Sequence, residues 1–264
     1  MATKNGKTLT KKITKHNLTK KEGKKQSFAQ HILELRLRVI YILFIYLISF
    51  SLSYYFNDII YELIARPIMS ANGNPQAEFI YTNLTEAFFA KLSLSAKIGF
   101  IIAIPFISFH IYKFISPGLY KKEQKIILIA LCSSNILFYL GIIFVYYLVM
   151  PKAFEFFLSF QQSSNGYTLM LHAKISEYIS LVTHLAISFG IAFQLPVVLF
   201  IFVYLGILSP QQLIINRRVA IVLIFILAGI ITPPDVASQL LLALPLIGLY
   251  ELTIRVITQT TDKM

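Results

Sequence analysis

The sequence predicts an all-α polytopic membrane protein with six transmembrane helices, and three observations predict it. The 264 residues are 56% hydrophobic and 14% charged, with no Trp, against about 45–50% apolar for an ordinary globular domain. Apolar runs recur at 39–56, 98–116, 126–150, 179–208, 219–231 and 236–254, divided by short polar breaks. The basic residues are also one-sided. Six spans place the N-terminus, the 113–125 loop, the 209–218 loop and the C-terminus on one face, which holds 19 of the 24 Lys and Arg residues. The opposite face holds three (Arg66, Lys152, Lys174), while Lys91 and Lys97 fall in or near the second run. Acids run the other way, five against seven. Because translocated loops are poor in Lys and Arg, both termini are expected in the cytoplasm or its equivalent compartment.

Taken in order, the first 26 residues hold nine Lys and almost nothing apolar. They predict a disordered basic tail over 1–27, retained because no short apolar stretch with a small-residue cleavage site follows. No aromatics interleave with its lysines, which argues against nucleic acid and for anionic lipid headgroups. Residues 28–258 form the membrane domain. About 20 apolar residues cross a bilayer core, so the first four runs suffice. The fifth has 13 residues and the sixth is interrupted by Ser238, Gln239 and Pro245, so both are expected to be short spans. They count as spans because Arg217 and Arg218 precede the fifth and Arg255 follows the sixth, with the turn signal "TPPD" between them. Thirteen residues cover roughly 20 Å against a core of about 30 Å, so the bilayer must thin locally or neighbours must cover the ends. No internal repeat supports a transporter of inverted halves.

Catalytic chemistry has no sequence support. GxxxxGK[ST], GxGxxG, HExxH and GxSxG are missing, which argues against ATP, dinucleotide, zinc or serine-hydrolase chemistry. An enzyme is not expected, nor a cofactor or metal. His16, His31, His110, His172 and His184 are scattered and read as loop or helix-end residues rather than ligands. Cys132, the single cysteine, excludes a disulfide framework and reads as a small core residue.

What remains is a set of carboxylates at the membrane borders. Glu34 and Arg38 lie at i and i+4, a spacing that predicts a local ion pair worth a few tenths of a kcal/mol. Glu123 in "SPGLYKKEQK" opens the third span, where a carboxylate favours the positive end of the helix dipole. Both acids nonetheless sit on the face that carries the basic excess, where a cationic ligand would otherwise be repelled.

"HILELRLR", "FISPGLYKKEQK", "FQLPVV" and "TPPDVASQLLLALPLIGLYE" occur in an order and spacing that resembles the TatC family, the multispanning receptor subunits of the twin-arginine protein translocase. The resemblance runs from about residue 28 to 256. It implies a core receptor that binds twin-arginine signal peptides and exports folded proteins across an energised membrane, drawing on the proton motive force. It also implies single-span TatA/TatB-type partners and a homo-oligomer within a larger complex. The expected location is the bacterial inner membrane, or a mitochondrial inner or thylakoid membrane for an organelle-encoded chain.

By the same resemblance Glu34 and Glu123 match recognition acids, and Arg36 and Phe114 match further recognition positions, with Arg36 holding the first helix against the loop. The chemistry suits the acids: a guanidinium is a planar fork that bonds a carboxylate in bidentate fashion, and lysine lacks that fork. Pro67, Pro105 and Pro117 fall at family prolines, where helix ends and kinks account for them equally well. Gln194, Asp235 and Gln239 match partner-docking positions. Many relatives carry glutamate where Gln194 stands, and an amide hydrogen-bonds without exchanging a proton. Asp235 reads equally as an N-cap of the sixth helix. The competing expectation is a secondary transporter or channel, favoured by six spans and by Lys91, Lys97 and Gln194. Against it, these groups form no connected polar path and paired broken half-helices are missing. A scaffold of insertase type, without signal-peptide specificity, is the third.

Overall fold

The computed structural model describes residues 28–72, 79–164, 167–169, 172–231 and 236–261. The expected tail over 1–27 and Asp235 lie outside them. Helix α1 spans Phe28–Tyr55, α2 Asn57–Asn72, and after strand β1 (Phe79–Ile80) α3 runs Glu86–Ile115. A 3-10 turn over Ser116–Gly118 leads to α4, Lys121–Phe144, which passes through a π-helical turn at Val145–Val149 into α5, Met150–Leu158. Three short strands follow, β2 (Gln162–Ser164), β3 (Tyr167–Leu169) and β4 (Ala173–Lys174), then α6, Ile175–Ala192, and α7, Leu195–Tyr204. The chain ends in α8 (Pro210–Ile215), α9 (Arg217–Ile231) and α10 (Val236–Thr261). Contacts divide it into an N-terminal unit ending at Tyr41 and a second unit from Ile42 onward. The interior of the second unit is built from Leu94, Val145, Val149, Phe189, Ala228 and Leu242, all fully buried.

All-α architecture follows from the medium. In hydrocarbon every backbone N–H and C=O must be satisfied within the protein, and a helix does this within one segment. Among the described residues five segments are long and apolar enough to cross: His31–Tyr55, Glu86–Gly118, Glu123–Leu158, Ile175–Tyr204 and Gln239–Gln259. The remaining crossing, α9, fifth in chain order, has 15 residues and is short as expected. The last helix is not. It is 26 residues long because it passes through Pro245 unbroken and continues beyond residue 254, so Ser238, Gln239 and Pro245 are poor predictors of its end.

Close helix contacts are made by small residues, as expected where backbones must approach without a hydrophobic drive between helices. A Cβ on Gly99 of α3 would lie 2.8 Å from the backbone of Phe50 in α1. One on Gly141 of α4 would lie 2.7 Å from the carbonyl of Phe189 in α6.

The prolines are read by a simple accounting. Proline has no N–H, so the carbonyl four residues earlier loses its helical donor. Pro67 frees Leu63 O, which accepts from the Tyr146 hydroxyl at 2.7 Å, and the next carbonyl, Ile64 O, accepts from Tyr178 at 2.7 Å. Pro105 frees Ile101 O, which accepts from the Tyr139 hydroxyl at 2.9 Å. Two proline-bearing helices are thereby fastened to the segment that runs from α4 into the π-helical turn. Pro196 separates α6 from α7, and Gln194 stands in the gap.

Two expectations about single residues are corrected. Cys132 is exposed rather than a core residue, because it lies on the outer side of α4. His110 and His184 sit within α3 and α6, not in loops or at helix ends, because each falls inside an apolar run that forms one continuous helix around it.

Candidate functional site

The N-terminal unit carries Glu34 on α1. Its Oε1 accepts from Arg38 Nε at 3.1 Å and also from Arg38 Nη2, while His31 Nδ1 lies 4.0 Å from Oε2. The expected i,i+4 pair is therefore formed and half-buried. Arg36 is exposed and has no ion pair among the described residues.

In the second unit, the loop between α3 and α4 is held by Gln124, whose Nε2 donates to Ser116 O at 2.8 Å and to Leu119 O at 3.3 Å. Pro117 starts the 3-10 turn inside this loop. Glu123 occupies the third position of α4, where its Oε2 accepts from the Tyr120 N–H at 2.9 Å. The carboxylate satisfies one orphan donor of the helix start and sits at the positive end of the dipole. Among the described residues its other oxygen has no donor, and Glu123 is half-exposed. Phe114 is half-buried at the end of α3, and the Lys113 ammonium lies 4.6 Å from the centre of the Phe109 ring.

Below this rim, Arg217 opens α9 and pairs with Glu251 of α10 at 3.4 Å, while Tyr250 donates to Leu213 O at 2.8 Å. These contacts tie the base of the last hairpin to α8. Sequence reasoning missed them, because nothing in "YELTIR" says which arginine the glutamate meets.

Within the membrane, Gln194 is fully engaged. Ser134 Oγ donates to its Oε1 at 2.6 Å, and its Nε2 donates to Ser134 O at 3.0 Å and Gly190 O at 3.3 Å. The break before Pro196 explains its presence: the amide side chain supplies donors where the helix ladder stops. Gln239 is likewise used internally, donating to Phe225 O of α9 at 3.0 Å, with Gly229 leaving room for its amide.

On the opposite side β1 pairs in parallel with β4, Phe79 against Ala173 and Ile80 against Lys174. Glu86, at the start of α3, accepts from Thr82 N at 2.8 Å, Thr82 Oγ1 at 3.1 Å and Ser176 Oγ at 2.5 Å, with Lys174 Nζ at 3.9 Å. Lys91 pairs with Asp58 at 2.8 Å, and Lys97 donates to Thr183 Oγ1 at 2.9 Å. Lys91, Lys97 and Gln194 thus have separate partners, which bears on the transporter alternative: each is tied to its own neighbour rather than to the next polar group along a path. Among the described residues no cluster of His, Cys, Asp or Glu could hold a metal ion.

The fold has counterparts among known proteins. The family model described as "Sec-independent protein translocase protein (TatC)" matches residues 30–245. The chain belongs to the TatC family. A TatC of Rickettsia prowazekii is 49% identical over 228 residues, covering 86% of this chain and 91% of the relative. The TatC of Escherichia coli K12 is 33% identical over 228 residues, covering 86% of each. A crystal structure described as the twin arginine translocase receptor TatC in DDM superposes with a TM-score of 0.71 at 37% identity, covering 86% of this chain and 98% of that one. TatC membership makes this a multi-pass membrane protein of a translocase rather than a metabolic enzyme, and the six crossings are those of the TatC fold.

Proposed function

We propose that this chain is the receptor subunit of a twin-arginine translocase, capturing the paired arginines of a signal peptide through Glu123 and Glu34 and passing folded cargo across an energised membrane. The observation that carries the reading is the bonding of Glu123. Its loop is fixed by Gln124 and by the 3-10 turn, one oxygen is held by Tyr120 N–H, and the other is left for a ligand. Such a carboxylate on a strongly basic face suits a guanidinium fork. Arg36 and Phe114 contribute to the recognition surface. The test is crosslinking of a signal peptide to the protein in membranes, with the arginine pair intact or replaced by lysines. Equal capture of both peptides would reduce the chain to a scaffold without signal-peptide specificity.

Single-span TatA/TatB-type subunits are the proposed partners, with Gln194, Gln239 and Asp235 at the docking positions. A partner must compete with Ser134 for the Gln194 amide. Gln194→Leu should leave signal-peptide capture intact and reduce copurification of the single-span subunits; unchanged copurification would assign Gln194 to the α6–α7 break alone.

Both termini are proposed to be cytoplasmic in the bacterial inner membrane, because Lys and Arg on short loops resist translocation. A cysteine at Ser238, with Cys132 replaced, should react with an impermeant thiol reagent added from the side opposite Arg217 and Arg255. Labelling only from the side of those arginines would turn the last hairpin into a re-entrant loop.

A further inference from the structure

Lys97 is out of place in hydrocarbon. From Glu86 to Lys113, α3 rises roughly 40 Å, the thickness of a bilayer with its headgroups, and Lys97 stands roughly 16 Å from Glu86. It lies in the outer leaflet's hydrocarbon, on the half of the protein remote from the basic rim. Its ammonium is half-buried, and the one bond it makes among the described residues is to the Thr183 hydroxyl of α6. Among the described residues no carboxylate is within ion-pairing reach there. Thr183 is itself buried and spends its proton on Ile179 O, so it offers the ammonium an acceptor and no charge.

The surface beside this contact is polar where lipid would favour apolar side chains. Ser180 and His184 are exposed and Ser188 is half-exposed, at i, i+4 and i+8 along α6. Ser93 is exposed one turn before Lys97 on α3. An ionisable group inside a membrane is costly and marks a functional face unless something answers its charge.

We propose that this face, Lys97 with Ser93, Ser180, His184 and Ser188, docks a transmembrane helix of another protein that presents a carboxylate in the outer leaflet. The charge decides the occupant: the ammonium needs an anion at its own depth, and hydroxyls and an imidazole on either side can bond the rest of a carboxylate. A second copy of this chain cannot supply it. Among the described residues its acids stand at span borders, Glu34, Glu123 and Glu251 with the basic rim and Glu86 and Glu177 at the outer ends of α3 and α6, while Asp58, Glu62 and Glu155 are already paired with Lys91, Arg66 and Lys152. A lipid phosphate belongs at the border, a helix turn or more above Lys97. The face is separate from Gln194 and from Glu123, so it stands or falls independently of the signal-peptide reading.

The test uses the full chain in phosphatidylcholine vesicles and a leucine–alanine transmembrane peptide with one Glu six residues in from either end, beside a twin with Gln at both places. Energy transfer from a dye on the peptide to one on the protein reads association. The Glu peptide should associate about tenfold more tightly than its Gln twin, the scale of one charge pair in a poorly solvated site. Lys97→Met should erase that preference, Lys97→Arg should keep it, and Ser180→Leu with His184→Leu should weaken it with Lys97 still present. Lys97→Arg also serves as the folding control. Equal association of the two peptides, or a Glu preference that survives Lys97→Met, overturns the proposal. So does loss of the preference when anionic phospholipid replaces part of the phosphatidylcholine, since a headgroup would then be the natural occupant.

Discussion

Glu86 and Glu123 are the same residue type in the first turn of two long helices, at opposite membrane borders, and they are spent differently. Glu86 is buried and takes three hydrogen bonds, two from Thr82 and one from Ser176, with Lys174 nearby. Glu123 is half-exposed and takes one. Helix-dipole arguments rate the two sites alike, so the dipole cannot say which is functional. The count of occupied lone pairs can: a saturated carboxylate joins parts of its own chain, and an unsaturated one is open to a ligand. Glu34 lies between these limits, because Arg38 already holds one of its oxygens.

Replacing Glu86 is expected to have the largest effect. Glu86→Leu strands the Thr82 N–H and the Ser176 hydroxyl in a buried place and unties the loop before α3 from the start of α6. The thermal midpoint in detergent should fall by several degrees and the yield of folded protein with it. A variant as stable as the parent would break the comparison, since Glu86 would then be dispensable to the fold. Glu123→Gln should leave the midpoint in place, because the amide oxygen can still accept from Tyr120 N–H. Capture of a twin-arginine peptide should weaken by about tenfold or more, matching the roughly 1.5–3 kcal/mol of a charged hydrogen bond. A fall in stability without a fall in capture would make Glu123 a second Glu86. Glu34→Gln should weaken capture less than Glu123→Gln does, because a ligand arginine gains there only what it takes from Arg38. Arg38→Gln sharpens the point: it frees the acid, and peptide binding should hold or tighten. Weaker binding in Arg38→Gln would mean that the pair itself, not the carboxylate, is what the ligand meets. The smallest effect is expected at the freed carbonyls. Tyr146→Phe leaves Leu63 O without its hydroxyl donor and should cost about 1 kcal/mol, read as a modest drop in thermal midpoint with capture unchanged. No drop would mean that water or another hydroxyl reaches that carbonyl.

Span number, the short α9 and the i,i+4 pair of Glu34 and Arg38 were legible because they rest on composition and local spacing. Pro67 and Pro105 announced freed carbonyls in the same way, but the donors, Tyr146 and Tyr139, come from 83 and 38 residues further along and no local pattern points to them. The last helix was misjudged in length because polar residues and a proline mark helix limits in water more reliably than in a bundle where neighbours cover them. Gln194 stood out as a polar residue amid apolar ones, while its partner Ser134 did not, since serine is common in spans and only the packing of α4 on α6 brings the two together. The same holds for Lys97: its charge was visible, its meeting with Thr183 was not.

The tyrosine-fastened carbonyls also bear on how the chain is made. A ribosome adding about 5–20 residues per second needs roughly 4–17 s to go from Leu63 to Tyr146. For that interval the carbonyl released by Pro67 is in or beside the bilayer without the hydroxyl that will satisfy it. Helix α2 and the second hydrophobic segment therefore leave the insertion machinery with freed carbonyls, which are satisfied only when the third segment delivers Tyr146 to Leu63 O and Tyr139 to Ile101 O. Nascent chains halted before residue 139 should stay bound to the insertion machinery or its chaperones, and those halted after 146 should be released.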